Sequence, residues 1–242
     1  MSMSAVVTTE RSEWMGEASP HFTARIAGAL YLLSIAAGVV AVLFVGGALV
    51  VDGDAAATAT NILANETLFR LSVASFLIGI ACYVAVTALL YSLLRPVNRT
   101  ISLLAAFFSL VGCALWAVGS LFQLAALAIL RGGGSARGFT ADLAVTLLQL
   151  NAQALSVGIV FFGFYCLLIG YLVFRSTFLP RIVGALVALT GIGYLTYLYS
   201  PLQQALSTYL PVSNLLGEAA LTLWLLVVGV NAQRWKERAR AS

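Results

Sequence analysis

Long apolar runs follow one another along this sequence, at 26–50, 70–94, 101–130, 141–174, 182–199 and 215–233, each almost free of charge. A helix of about 20 such residues crosses the roughly 30 Å hydrocarbon core of a bilayer. The composition agrees: 61% of the chain is hydrophobic, 9% is charged and the mean hydropathy is +0.99. A soluble domain carries about 25% charge. A chain this apolar cannot hide its surface from water by folding, so its solvent is lipid. The predicted fold class is an all-α integral membrane bundle of six transmembrane helices with both termini cytoplasmic, plus a short outer amphipathic helix. Residues 1–24 read as a polar tail, 25–233 as the six-helix domain and 234–242 as a basic tail. The first run is too long for a signal-peptide core and reads as a retained span.

The basic residues set the threading. Six spans put both tails on one side, which then carries Arg11, Arg25, Arg95, Arg99, Arg175, Arg181, Arg234, Lys236, Arg238 and Arg240, or 10 of the 13 Lys and Arg. The other side has Arg70, Arg131 and Arg137. This bias predicts cytoplasmic tails in a bacterial cytoplasmic membrane. The basic residues flank apolar runs, so the net charge of +4 marks topology and does not suggest nucleic acid. Tyr194, Tyr197 and Tyr199 fit an outer aromatic belt.

Cys82, Cys113 and Cys166 each lie inside an apolar run without a CxxC pair, and read as small buried hydrophobes. The single His21 and single Lys236 are both placed in the tails. Bis-histidine haem ligation, a histidine zinc site within the spans and a retinal Schiff base therefore lack their residues. No cofactor is expected, and neither a catalytic nor a metal-ligating set is assigned.

The segment DGDAAATATNILANETLFR, from Asp52 to Arg70, holds four of the few charges outside the tails and short loops. Asp52 or Asp54 is placed to cap a helix running to about Asn65, lying across the outer bundle end and leading into the second span. Two starts, RIAGAL at Arg25–Leu30 and RIVGAL at Arg181–Leu186, are alike; they read as a trace of an internal repeat or as the usual opening of spans that enter from the basic side.

Four stretches carry a family likeness: DAAATATNILANETLFRLSV, LLRPVNRTISLLAAF, VFFGFYCLLIGYLVFRSTFLPRIVGAL and GEAALTLWLLVVGVN. Together, over roughly 25–231, they resemble the bacterial multi-pass family catalogued as domain of unknown function 4386. The resemblance implies several membrane helices and no particular reaction, substrate or cofactor.

The candidate site rests on polar groups within the spans. Asp142, Thr146, Gln149, Gln153 and Ser156 follow one another at steps of 4, 3, 4 and 3 and share a helical face. They read as a polar lining reaching inward, or as the first turns of a helix that overshoots the bilayer. Gln149, Gln153 and Ser156 are expected to face helices or a cavity, because a lipid-facing glutamine lacks partners. Asn151 lies on another face and suits a helix–helix hydrogen bond. Ser102, Ser109, Cys113, Trp116, Ser120 and Gln123, with Gly112 and Gly119 beside them, share a face that packs helices or walls a cavity. Glu218 is a carboxylate within the last run and a functional candidate on that ground. It is expected near the outer interface, paired with Arg70; the rival is the local i,i+4 pair of Arg70 with Glu66. Glu218, Arg70, Asp142, Gln149 and Gln153 are the candidate ligand-binding residues.

These readings lead to a protein that binds, transports or senses a small or lipid-like molecule through an outward-facing polar pocket. The alternatives are a structural or partner protein without a ligand, and a membrane enzyme using Glu218 and Asp142 as an acid/base pair. The expected partners are the lipid bilayer and a small-molecule or lipid ligand. Oligomeric state is left open.

Overall fold

Pro20 opens the first helix. Its fixed φ suits the first helical turn, and the Ser19 carbonyl accepts from the amides of Phe22 and Thr23 at 2.7 and 3.0 Å. The computed structural model describes residues 19–45, 49–132, 137–206 and 210–241. Residues 20–24, expected in the tail, are thus helical, and Ala24 is fully buried. The helices are α1 (Pro20–Val45), α2 (Ala55–Ala64), α3 (Glu66–Leu94), α4 (Arg99–Gly132), α5 (Arg137–Arg175), α6 (Arg181–Leu195, extended by a 3-10 turn Thr196–Leu198), α7 (Ser200–Leu206), α8 (Leu210–Leu223, continued by a π turn Trp224–Val228) and α9 (Ala232–Arg240). No strand occurs among the described residues.

Five of these helices, α1, α3, α4, α5 and α6 with its 3-10 turn, are long and apolar enough to cross a membrane. The α8 segment makes a sixth only if counted together with α9, which is bent from it by 103°. The protein is therefore an all-helical membrane protein of five or six spans. The bend has a local cause. Gly229 sits at φ +73°, in the left-handed region, which costs a residue with a Cβ about 1–2 kcal/mol. Asn231 then caps α9, its Oδ1 accepting from the Arg234 amide at 3.1 Å.

Contacts bring several helix ends to one level. The Trp235 indole donates to the Leu93 carbonyl at 2.8 Å, Arg25 donates to the Val227 carbonyl at 3.3 Å, and the Asn231 amide donates to the Phe178 carbonyl at 3.4 Å. The start of α1 and all of α9 thus share one end of the bundle, the basal end. At the far end, Glu66 at the start of α3 meets Arg131 at the end of α4 at 3.5 Å.

Small residues set the helix spacing. A Cβ added to Gly170 would stand 2.7 Å from the Ala188 amide, and one on Gly184 the same distance from that of Phe174, so α5 and α6 touch backbone to backbone. The small-residue face of α4 also packs helices. Ser109 Oγ meets Thr87 Oγ1 at 2.6 Å, and Gly112 accepts the Phe162 ring. The three cysteines are free thiols, with Cys113 and Cys166 buried.

Candidate functional site

The connector folds as its sequence predicts. Asp54 Oδ1 accepts from the Ala57 amide at 2.8 Å and caps α2. Thr58 pins the preceding loop, accepting from the Val51 amide at 3.0 Å and donating to its carbonyl at 3.2 Å. Ile62 is fully buried beside Leu49, Phe69, Leu127 and Ala144. The helix therefore lies against α3, α4 and α5 at the far end of the bundle. Arg70 follows at the start of α3. Its Nε donates to Glu66 Oε1 at 2.7 Å.

Beneath this connector lies a pocket of about 630 Å³. Val42, Val51, Phe76, Leu148 and Leu155 supply apolar wall. Gln123, Gln149 and Asn151 supply amides, and Asp52 and Asp54 stand at its connector side. Asn151 is nine-tenths buried; its Nδ2 lies against Gly119 and has no hydrogen-bond partner. The helix–helix hydrogen bond expected of Asn151 is thus absent, although the side chain does pack between α4 and α5.

Of the five candidate residues, Gln149 alone lines this pocket. Asp142 and Gln153 are exposed on α5. The helix has 39 residues, which at 1.5 Å per residue is about 58 Å, against a hydrocarbon core of roughly 30 Å. Its far turns overshoot the core. Asp142 and Gln153 lie 33 and 22 residues from Arg175, or about 50 and 33 Å along the axis, so an exposed Gln153 sits at headgroup level. The Thr146 and Ser156 hydroxyls donate to the carbonyls of Asp142 and Ala152 on their own helix.

Glu218 is elsewhere. Tyr31 lies eleven residues from Pro20, Tyr83 eleven from Leu94, Tyr165 ten from Arg175 and Glu218 ten from Val228. At 1.5 Å per residue Tyr83, Tyr165 and Glu218 stand about 15–17 Å above the basal end, and Tyr31 joins them through Tyr83. Tyr194 donates its hydroxyl to Glu218 Oε1 at 2.9 Å, which also turns this tyrosine inward, away from the expected aromatic belt. Tyr31 and Tyr83 share a hydrogen bond at 3.3 Å. The Tyr165 ring stands 6.1 Å from that of Tyr83, and its hydroxyl is buried without a hydrogen-bond partner. Tyr31, Tyr83, Tyr165 and Cys166 are all within electrostatic reach of the carboxylate.

The pairing of Glu218 with Arg70 is therefore corrected. Arg70 lies 24 residues from Leu94, about 36 Å above the basal end and some 20 Å beyond Glu218 along the bundle. It is bound to Glu66 instead. The run 215–233 had placed Glu218 one turn from its outer edge. The helix that carries Glu218 in fact starts earlier, at Leu210, and breaks at Gly229, which moves Glu218 inward. Asp142 and Glu218 differ by about 35 Å in depth on the same measure, so they form no acid/base pair.

An unbroken series of rings links the pocket to this level. Phe76, on the pocket wall, is 5.6 Å from Trp116, which is 4.6 Å from Phe162, which is 5.0 Å from Tyr83. Trp116 is fixed by its Nε1 donating to the Leu155 carbonyl at 3.1 Å. These rings fill the bundle below the pocket.

The family described as "Domain of unknown function (DUF4386)" matches residues 26–229, which takes in the pocket, Glu218 and every span. The chain belongs to this family. An uncharacterized protein of Archaeoglobus fulgidus is 28% identical over 148 residues, covering 60% of this chain and 76% of that protein. No solved structure matches. Membership of DUF4386 carries no activity with it, so the chemistry rests on the pocket itself. Sequence reasoning put Gln123 on a face read as helix packing or a cavity wall, and it missed Asn151 as a pocket residue, because spacing assigns a face to each residue and not the helix opposite it.

Proposed function

We propose that this DUF4386 protein binds a small amphiphilic or lipid-like molecule in the pocket below α2, without chemical conversion. The observation that carries the reading is the set of three amides, Gln123, Gln149 and Asn151, in a mainly apolar pocket of about 630 Å³. Ligand sites combine these features: apolar enclosure with a few polar groups that fix orientation. The only charges among the described lining residues are the carboxylates of Asp52 and Asp54, which favours a neutral or cationic polar end over an anionic one. The ring series below Phe76 stands between the pocket and the level of Glu218, which supports holding or sensing a ligand over passage. The basic bias of the sequence supports a cytoplasmic membrane with both tails inside and the pocket facing out. The small-residue faces that pack α4 and α5 support a second reading, a structural or partner protein without a ligand.

Native mass spectrometry of protein extracted from its own membrane separates the two. A bound molecule retained one to one, and lost from both Gln123→Leu/Gln149→Leu and the pocket-filling Ala152→Phe, is the expected result. A bare protein, or an adduct indifferent to both variants, overturns ligand binding at this pocket.

A further inference from the structure

The basal end carries a second, differently built cavity. It also measures about 630 Å³ and lies between the 95–99 turn and α9, lined by Tyr91, Arg95, Val97, Asn98, Arg99 and Trp235 among others. Both walls are held. Val97 N donates to the Leu94 carbonyl at 2.9 Å, and Asn98 Oδ1 caps α4 by accepting from the Ile101 amide at 2.9 Å. Across the groove, the Trp235 indole bond to Leu93 fixes α9 against the end of α3.

The donors left over are the two guanidiniums, the Asn98 amide nitrogen and the Tyr91 hydroxyl. Both ion pairs among the described residues are made by Glu66 at the far end, so neither Arg95 nor Arg99 has a described acidic partner. Glu237 is the one described carboxylate at the basal end, and it accepts from Gln233. A groove offering several donors and two cations without a described acidic partner suits a phosphate group, which arginine recognises through paired N–H bonds. Its height at the span ends is that of lipid phosphates. Leu103 and Phe107 follow Arg99 at steps of four on the same face of α4, and they are 42% and 57% exposed. An acyl chain leaving the groove would lie along them.

We propose that this groove binds the phosphate of an anionic glycerophospholipid, with Arg95 and Arg99 on the headgroup and an acyl chain along Leu103 and Phe107. Basic pockets between helix ends take such headgroups. The test uses the full-length protein in nanodiscs of mixed phosphatidylcholine and phosphatidylglycerol, with retained lipids counted by native mass spectrometry. Phosphatidylglycerol should be retained selectively. Arg95→Gln/Arg99→Gln should weaken its retention roughly thirtyfold and Arg99→Gln alone about fivefold, from the usual contribution of a basic residue near an anionic surface. Both side chains are exposed, so an unchanged melting temperature in pure phosphatidylcholine would show that the fold survives. Lys236→Gln/Arg240→Gln, outside the groove, should have a much smaller effect. Equal retention of the two lipids overturns the proposal, as does selectivity that survives the double substitution. Inorganic phosphate that binds the groove in phosphatidylcholine discs, with no phosphatidylglycerol preference, would assign the site to a soluble anion and also overturn it.

Discussion

Tyr194 and Glu218 are bound hydroxyl to carboxylate at 2.9 Å, half-way through the bundle and 24 residues apart in sequence. A hydrogen bond of this kind contributes about 0.5–1.5 kcal/mol net. Glu218→Gln and Tyr194→Phe should each lower the melting temperature in detergent, and the double variant should lose less than the sum. Glu218→Gln with Arg70→Gln should be additive. Coupling between Glu218 and Arg70, with none to Tyr194, would contradict this placement of the carboxylate.

Removing the cap of α2 should act locally. Asp54→Ala is expected to cost about 1 kcal/mol and to speed hydrogen exchange at 57–60 while exchange in α3 stays unchanged. Exchange equal to wild type would mean that the Asp54 cap contributes nothing in solution.

Glu66 serves Arg70 at 2.7 Å and Arg131 at 3.5 Å, with the arginine side chains 49% and 57% exposed. Exposed pairs contribute little, so Glu66→Gln should cost no more than about 1 kcal/mol. The difference should shrink as salt is raised. A large, salt-independent loss would require a role for Glu66 beyond these two contacts.

Gly229→Ala should destabilise the protein by about 1 kcal/mol or more, since its φ of +73° disfavours a Cβ and the added methyl would meet the His21 ring at 3.1 Å. Trp235 fluorescence offers a readout, because α9 would have to shift. An unchanged melting temperature and spectrum would argue against the bend at this residue.

Cysteines placed at Asn98 and Asp52, both exposed and at opposite bundle ends, should react with impermeant reagents from opposite sides of the membrane. Ser135, the other natural labelling position, lies outside the described residues. The residue-98 cysteine should react from the cytoplasmic side, and its reaction from outside would overturn the threading argued from the basic bias.

The spans were legible because hydropathy decides them, and the α2 cap because an Asp before ATATNILA has few other local uses. The Glu66–Arg70 pair was legible as the i,i+4 rival. Glu218 was misplaced because VVGVNA continues the apolar run without a charge to end it. The usable signal was Gly229 followed two residues later by a capping asparagine. Gln153 and Tyr194 show the remaining difficulty. Periodicity puts them on a face, but which neighbour that face meets depends on packing between helices far apart in sequence. The pocket has the same origin: its amides come from α4 and α5 and its carboxylates from the connector, a combination no local pattern encodes.

The ring series below the pocket also gives the molecule an optical property. Trp116 touches Phe76 and is bonded to the Leu155 carbonyl, and both of those residues form pocket wall. Trp224 and Trp235 belong to the basal end. In a single-tryptophan version that keeps only Trp116, emission wavelength and quenching would follow the polarity and filling of the pocket directly. No attached dye would be needed, and the signal would respond to any occupant, whatever its chemistry.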